Sequence, residues 1–575
     1  MKLALGLFHF NVHDVAGEPA ASHRYCTQVI LPFLRAIAFH PQFRATFEIA
    51  GIGLEFLAEH YPNVIDLLRQ LISQNKIELI SSTYAPTLWV AFPRRDLERS
   101  IKLNEKVLDS LQLPRSHIFS AQEGFFGPGL KVVSDWFDTA VCKDDVLRLF
   151  ANGAGGRPFY KLGKINVVVG ANHLLHELAG RIVKESEEGH PRELSSFYEA
   201  RVQEAVNTST HSGTEYVEGI VGDLRWHWYH MGSGHHFTTT GVPQNWESFF
   251  CDPEWVDLNC GVLQDLLEDG YQLSFISELT RRLVDLPAEQ LPLSMIESSW
   301  NPIRTRGVFG WMGRQEHRWM SGGSLLTLAW RARKTLRESE LAIDLISSAD
   351  QRRQAESQIE EIWKHQIIAE SSDPLGWSPL PCEVNFARDQ SDQVFRMCAA
   401  FSPGLPSEAT NSRLPDQRAS AMIDPGAKEV PLAAEFVGAE GTLVWRTPST
   451  GTHLCEARFR AEEHSCGIRF QREWDSIVYC PSGCEESPVR FALGEFPQPD
   501  FYLPLANGFI SLSEDLHLIR NNCSVAVAAH IVKDDPWITF AVEGAPDGRL
   551  FEWRFLVVRG SVDMAVRTAN EMNCI

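Results

Sequence analysis

The first 285 or so residues alternate short apolar runs with segments of helical periodicity, and this alternation constrains the fold more than any other feature. From Leu54 to Leu71, for example, apolar residues recur on one face of a helix. Strands that alternate with helices predict a parallel sheet with helical cover. The predicted strands are Lys2–Phe8, Thr46–Ala50, Ile77–Ser81, His117–Ala121, Ala140–Lys143, Ile165–Gly170, Tyr216–Gly222 and Leu273–Ile276. About seven such units favour a barrel over an open sheet.

The remainder of the chain predicts two further regions. Residues 325–347 and 352–368 have helical periodicity with few breakers, whereas residues 402–432 are rich in Pro, Ser, Asp and Gly and predict a linker. Beyond about residue 433 the apolar residues alternate with polar ones, which is typical of an antiparallel β-sandwich. We therefore predict an α/β plus all-β fold with a (β/α)7-type barrel over 1–285, a helical subdomain completing the active site over 286–380, and a β-sandwich domain over 381–575.

The formal net charge of −21 argues against nucleic acid and anionic membranes as partners, because both require a basic surface. No run approaches the roughly 20 apolar residues that span a bilayer, and the apolar start Met1–Phe8 is too short for a secretory signal. The 12 cysteines are scattered and form no Cys-x-x-Cys motif. These features predict a soluble cytoplasmic protein with reduced thiols, and leave open whether it forms a homo-oligomer.

Polar side chains follow several of the predicted strands. In parallel barrels the carboxyl ends of the strands meet at one rim, and chemistry is concentrated there. We therefore expect one site to gather the residues His9, Glu78, Tyr84, Glu123, Asp144, Asp145 and Asp223.

Glu123 directly follows a buried strand and precedes Gly124, Phe125 and Phe126. Aromatic surroundings raise the cost of an unpaired charge, so this acid is a candidate for chemistry. The structural alternative is an acid in the first turn of the following helix.

Asp223 ends a predicted strand and is followed by the run Arg225, Trp226, His227, Trp228, Tyr229 and His230. Hydrogen-bonding and stacking groups of this kind suit a sugar subsite. The structural alternative pairs Asp223 with Arg225. Two carboxylates at one rim are the usual apparatus of glycoside hydrolysis, about 5–5.5 Å apart in retaining enzymes.

Several motifs in order resemble those of glycoside hydrolase family 57, a family of retaining α-amylases and 4-α-glucanotransferases. They are Gly51–Glu55 with Lys76–Pro86, the segment around Glu123 that ends at Pro128, Lys143–Asp145, Gly222-Asp223, and Glu297–Trp300 followed by Gly310–Gly313. The resemblance implies an incomplete (β/α)7 barrel with a helical subdomain, which agrees with the periodicity.

The resemblance also implies a nucleophile at Glu123, a general acid/base at Asp223 and a covalent glycosyl–enzyme intermediate. It predicts an α-linked oligo- or polysaccharide as substrate and no cofactor. The candidate substrate-binding residues are His9, Asn11, His13, Glu78, Tyr84, Phe126, Asp145, Arg225, Trp226, Trp300 and Trp311.

Departures from the family pattern fall near the innermost subsite. Asn11 stands in the opening motif, which is usually His-x-His-Gln-Pro. Gly124 follows the nucleophile where the family often has Arg, and Leu224-Arg225 follow the acid where it often has Gly-Glu. These departures bear on which sugar is bound more than on the predicted roles of the carboxylate pair Glu123 and Asp223.

Two other functions stay open. Histidines and acids could supply zinc ligands, as in α-mannosidases and deacetylases on related barrels, although their spacing matches no zinc pattern. They are His9, His13, Asp14, His227, His230, His235 and His236. A non-catalytic glycan-binding protein is the second alternative, motivated by the altered opening motif.

Overall fold

The computed structural model describes most of the chain, including the backbone alone of strand 223–230. The described residues are 2–10, 12, 19–121, 124–143, 146–147, 150–151, 159–170, 223–230, 254–284, 288–292, 296–298, 307–313, 322–344, 346, 348–376, 381–401, 432–449, 451–496, 498–545 and 548–575.

These residues divide into two compact units. The first comprises residues 1–86, 100–307 and 496–499, and the second comprises residues 87–99, 308–495 and 500–575.

A parallel sheet forms one side of the first unit. Its strands are β1 (Lys2–Phe10), β2 (Ala45–Ile49), β3 (Ile77–Ile80), β8 (Asp223–His230) and β9 (Gln272–Ser274). Their order is β3-β2-β1-β8, with β9 also paired to β1. Every pairing in this sheet is parallel, as the alternation of strands and helices predicts.

A second sheet of the first unit has the order β10-β6-β7-β5-β4. Its strands are β4 (Ile118–Phe119), β5 (Thr139–Lys143), β6 (Phe159–Leu162), β7 (Ile165–Gly170) and β10 (Glu289–Gln290). Apolar side chains from both sheets share one core cluster, among them Leu5 of β1, Ile80 of β3, Val141 of β5 and Val168 of β7. Two sheets around one core form the predicted incomplete barrel.

Helices lie between these strands in the chain. They are α1 (Pro19–Tyr25), α2 (Leu31–Phe39), α3 (Gly51–His60), α4 (Pro62–Ser73), α5 (Arg94–Ser110), α6 (Glu254–Glu268) and α7 (Ile276–Leu283). The single helix expected from Leu54 to Leu71 is two helices. The break falls at Pro62, which has no amide hydrogen to donate and therefore suits the first position of α4.

The second unit contains three helices that pack on one another, α9 (Gly322–Ile343), α10 (Ala349–Ala369) and α11 (Pro381–Phe401). The short helix α8 (Phe309–Met312) precedes them, and α12 (Val562–Met572) ends the chain. Helix α11 occupies residues that the sequence assigned to the β-sandwich domain, and the first strand of that region begins at Ala434.

Two antiparallel sheets complete the second unit, with orders β11-β14-β21-β20-β17 and β12-β13-β22-β19-β18-β15-β16. Phe470 of β14 and Phe540 of β21 both pack on Phe555 of β22, with ring centroids 4.9 and 5.2 Å apart. The sheets therefore face each other across an aromatic core, and the predicted fold class is confirmed. The strands are β11 (Ala434–Val437), β12 (Ala439–Ser449), β13 (Thr452–Ala461), β14 (Ser465–Gln471), β15 (Ser476–Tyr479), β16 (Val489–Ala492), β17 (Asp500–Leu503), β18 (Phe509–Ser511), β19 (Leu516–Arg520), β20 (Ala529–Val532), β21 (Trp537–Glu543) and β22 (Leu550–Arg559).

Most predicted strands are confirmed to within two residues. Between β4 and β5 of the second sheet, Pro128–Asp135 forms a 3₁₀ helix. Tyr216–Gly222 lies outside the described residues, and the described strand begins at Asp223, where the predicted strand was expected to end. Among the helices that the structure describes, none is long and apolar enough to cross a membrane.

Candidate functional site

A buried histidine lies near the carboxyl end of β1. Leu3, Leu5 and Leu7 point into the core cluster, and His9 continues the same face because strand side chains alternate. In the parallel pairing of β1 with β2, His9 lies opposite Glu48. The two side chains are 6% and 8% exposed, and Nδ1 of His9 contacts Oε2 of Glu48. The apolar barrel core is therefore followed, toward this rim, by a histidine–carboxylate pair.

Glu78 lies deeper in the barrel than the sequence predicted. It is the second residue of β3 rather than a residue beyond the strand, and it pairs in register with Thr46. Its Oε2 accepts hydrogen bonds from the amide of Ile276 at 3.0 Å and the Thr46 hydroxyl at 3.1 Å, and its Oε1 accepts from the amide of Ser277 at 3.3 Å. Burial raises the pKa of Glu78, and these hydrogen bonds oppose the rise. The carboxylate of Glu78 is thus used by the first amides of α7, and the substrate-binding role of Glu78 stays a prediction.

Tyr84 follows the carboxyl end of β3, as predicted, and is 3% exposed. Its hydroxyl donates to Oε2 of Glu55 at 2.7 Å, and its amide donates to the Ser100 hydroxyl at 3.0 Å. Both partners hold the ring beside the start of α3, where a Cβ on Gly51 would lie 3.2 Å from it.

Phe126 connects the segment after Glu123 to a later part of the first unit. Its amide donates to the carbonyl of Ser298 at 2.8 Å, and the amide of Ser298 donates back at 2.9 Å. Glu297 is fully buried beside this bridge, and a Cβ on Gly127 would overlap its Cγ. Gly124 has φ of +60°, a left-handed conformation that favours glycine.

The backbone of β8 fixes the level of Asp223 in the first sheet. In the parallel pairing with β1, Asp223 lies opposite Lys2, and His230 lies opposite His9. Asp223 is therefore at the amino end of its strand, seven positions before the level of His9, or about 23 Å along an extended strand. The described strand thus begins at Asp223, where the sequence predicted that a strand ends, and the catalytic role of Asp223 stays a prediction. Arg225 and Trp226 lie within the same strand.

The other predicted residues are distributed as follows. Trp311 is buried in α8 of the second unit. The residues Asn11, His13, Glu123, Asp144, Asp145 and Trp300 lie outside the described residues.

Sequence reasoning did not assign two buried acids, Glu48 and Glu297, to the site. Glu48 occupies an inward position of β2, two residues from Thr46, so the strand periodicity could have revealed it. Glu297 was part of a recognised motif, but its burial beside Gly127 depends on a long-range pairing that has no local signal.

Metal ligation was the second possibility for the histidines. Within the part of the chain that the structure describes, no group of three or more His, Cys, Asp or Glu side chains is placed to hold a metal ion. His13, Asp14, His235 and His236 lie outside that part.

Comparison with known sequences finds a family model that matches part of the chain. Residues 9–125 match the family model of Glycosyl hydrolase family 57. Alpha-amylases of Pyrococcus horikoshii and Pyrococcus abyssi are 32% identical over 74 and 75 residues, respectively. Each match covers 13% of this chain and 12% of the relative, so the similarity is confined to one short region.

Solved structures resemble the chain over much more of its length. The 4-α-glucanotransferase from Thermococcus litoralis is 11% identical with a TM-score of 0.43, over 98% of this chain and 100% of that one. A glycosyl hydrolase family 38 protein from Enterococcus faecalis is 8% identical with a TM-score of 0.51, over 100% of this chain and 88% of that one. The second likeness bears on the fold alone.

Proposed function

We propose that this chain is a retaining glycoside hydrolase or transglycosylase of the glycosyl hydrolase family 57 type, acting on α-linked oligo- or polysaccharides, because residues 9–125 match the model of that family. The family match is the observation that carries the proposal. It covers His9, Glu48 and Tyr84 and reaches two residues beyond Glu123. The two alpha-amylase relatives support an α-glucan as the first substrate to test.

The proposed chemistry is a double displacement. Glu123 attacks the anomeric carbon while a second carboxyl group protonates the departing glycosidic oxygen. The same group then removes a proton from water or from an acceptor hydroxyl, which attacks the covalent intermediate. Two inversions at the anomeric carbon give net retention, and the choice of acceptor separates hydrolysis from transfer.

The acid/base role is assigned to Asp223 on the sequence resemblance alone. The backbone register of β8 argues against this assignment, because it sets Asp223 at the amino end of the sheet. His9, Glu78, Asp145 and Trp300 are the proposed substrate contacts, also by resemblance, and Asn11 and His13 are further candidates near His9 in the sequence.

A glycan panel with analysis of product mass and anomeric configuration tests the proposed function. We expect cleavage or transfer of α-linked substrates, with the α-anomer formed first and no effect of a metal chelator. Glu123→Gln is expected to lower turnover by about three orders of magnitude or more, with an unchanged unfolding temperature.

Three results would contradict parts of this proposal. A β-anomer as the first product excludes retention, and near-normal turnover in Glu123→Gln excludes that nucleophile. Loss of activity on chelation favours the metal-dependent alternative. Glycan binding without any product favours the non-catalytic alternative.

A further inference from the structure

The second unit has one long strand at the edge of a sheet. Its two antiparallel sheets end in β11, β17, β12 and β16, and three of these strands have four residues whereas β12 has eleven. Most side chains of β12 are exposed, and among the described residues only β13 pairs with it. Because an open strand edge presents unpaired amides and carbonyls, it is a template for a further strand, and most natural edges are short for that reason.

The ladder with β13 shows which backbone groups of β12 face outward. The amide of Glu462 donates to the carbonyl of Gly438 at 3.0 Å, which continues the register of the two strands. Backbone groups alternate in direction along an antiparallel strand. Over the regular part of the ladder, even-numbered residues of β12 are therefore bonded to β13. The outward amides and carbonyls are those of Gly441, Leu443 and Trp445.

The sequence of β12 is complementary to itself when a second copy runs antiparallel beside it. With Leu443 opposite the partner's Leu443, Glu440 faces the partner's Arg446. Gly441 then faces the partner's Trp445, and both pairs occur twice about the twofold axis. Opposite charges directly across two strands stabilise their pairing, and so does an aromatic ring over an edge glycine. In this register the outward backbone groups of one copy meet those of the other.

The charges on the exposed face of the sheet favour the same register. Arg446 and Arg554 both contact the carboxylate of Glu456, at 3.0 and 3.4 Å, so two guanidinium groups share one acid. Glu440 forms no ion pair within the part of the chain that the structure describes. A second copy would bring its own Glu440 to Arg446 and supply the missing negative charge at both ends of the paired strands.

We propose that β12 is the interface of a homodimer, in which two copies of the strand pair antiparallel about Leu443 and join the two seven-stranded sheets into one. Pro448 ends the interface, because proline has no amide hydrogen and the ladder with β13 is irregular at that point. The contact is one strand wide, so we expect a dimer that dissociates on dilution. It does not depend on which reaction the chain catalyses.

Charge reversal at the two ends of the contact tests the pairing. Sedimentation velocity of the full-length wild type should show a monomer that converts to a dimer between about 1 and 100 μM. Glu440→Lys and Arg446→Glu should each raise the dissociation constant about tenfold or more, because each places like charges opposite one another twice. An equimolar mixture of the two variants, one of them labelled with ¹⁵N, should form mixed dimers with nearly wild-type affinity. Opposite charges then face each other again at every position.

An exposed ion pair farther from the edge supplies the matched controls. Arg458 on β13 and Glu552 on β22 lie opposite each other, with Nε and Oε1 3.2 Å apart. Glu552→Lys and Arg458→Glu make the same charge changes as the edge variants. They should leave the dissociation constant within about twofold of wild type, because neither side chain is at the proposed contact. Equal effects of edge and control variants would reduce the result to net charge and overturn the proposal.

Hydrogen exchange gives a second readout that needs no substitution. In the dimer, the amides of Gly441, Leu443 and Trp445 should exchange more slowly than in dilute protein. A wild type that stays monomeric up to about 100 μM overturns the proposal. Slow exchange of these amides in that monomer would mean that a segment of the same chain covers the edge, and fast exchange would leave the edge to a different partner.

The remaining outcomes are equally decisive. A dimer that forms with wild-type affinity in both edge variants has its interface elsewhere, and the proposal fails. Weak dimers in each variant that are not restored in the mixture exclude the pairing of Glu440 with the partner's Arg446. If one edge variant does not fold, the affinity of the other, together with the exchange of the wild type, decides.

Discussion

The first sheet uses buried acids differently at two levels of the same barrel face. Toward the carboxyl ends of its strands, Glu48 contacts a histidine side chain. Two positions deeper, Glu78 accepts hydrogen bonds from backbone amides at the start of α7. Both acids point inward from neighbouring parallel strands, yet Glu48 contacts a side chain whereas Glu78 accepts hydrogen bonds from backbone amides.

A helix start accounts for the difference. The first amides of a helix lack intrahelical partners, and an acid placed there satisfies them and interacts favourably with the helix dipole. Glu78 therefore has a sufficient structural role. Glu485 has a comparable one in the second unit, since it accepts hydrogen bonds from the amides of Arg94 and Gly483 at 3.0 and 2.9 Å. Arg94 is the first residue of α5.

The largest expected effect is on activity and concerns Asp223, at the amino end of the same sheet. If Asp223 is the general acid, Asp223→Asn should lose about three orders of magnitude in turnover of oligosaccharides, whose leaving groups need protonation. Aryl glycosides with acidic leaving groups should lose far less in the first step. Steady-state rates on both substrate classes provide the measurement.

An Asp223→Asn variant that retains normal turnover on oligosaccharides would show that Asp223 is not the general acid, which agrees with its position at the amino end of β8. The acid/base would then have to be sought among other acids of the first unit. Glu297 would be the next residue to substitute, because it is buried beside the segment that follows Glu123.

The alternation of strands and helices was sufficient to predict the parallel pairing of the first sheet, because it follows from local periodicity, but it did not predict the antiparallel pairing of β6 with β7 in the second sheet. The same periodicity could not give the level of each residue within the sheet. Glu78 and Asp223 were both expected beyond strand ends, and both lie near strand starts. An error of a few residues in a predicted strand boundary therefore changes the predicted position of an acid from the carboxyl end of a strand to its amino end.

Long-range contacts were the other part that the sequence could not supply. The His9–Glu48 contact spans 39 positions, and the bridge between Phe126 and Ser298 spans still more of the chain. Helix α11 was missed for a different reason. Its residues Pro381–Phe401 directly precede a Pro- and Ser-rich stretch, and the two were assigned together to the following domain.

A smaller effect, on stability, is expected for Glu485, which accepts a hydrogen bond from the first amide of α5. Burial raises the pKa of Glu485 to about 7, against hydrogen bonds from backbone amides that lower it. The folded state then binds this proton more tightly than the unfolded state, so its contribution to stability is complete below about pH 4.5 and is lost as pH rises toward 7. The shift corresponds to about 3 kcal/mol as an upper value.

Glu485→Gln should therefore flatten the decline in unfolding free energy between about pH 4.5 and 7. Denaturant unfolding at several pH values measures this slope. Glu486→Gln is the matched control, because Glu486 is adjacent and exposed, and it should leave the slope unchanged. An identical decline in wild type and Glu485→Gln would show that Glu485 does not carry the effect.

The smallest effect, on stability rather than activity, concerns Glu78. In Glu78→Gln the side-chain amide offers one acceptor oxygen where the carboxylate offers two, so the hydrogen bonds from Ile276 and Ser277 cannot both be kept unchanged. We expect a loss of about 1–2 kcal/mol in unfolding free energy. Turnover at 25 °C should stay within about twofold of wild type, because the deeper level of the sheet is separated from the rim by the layer of His9 and Glu48. Exposed Glu59→Gln on α3 should change neither quantity. A large fall in kcat/KM with unaltered stability would instead support the predicted role of Glu78 in substrate binding, and Glu78 would then not be purely structural.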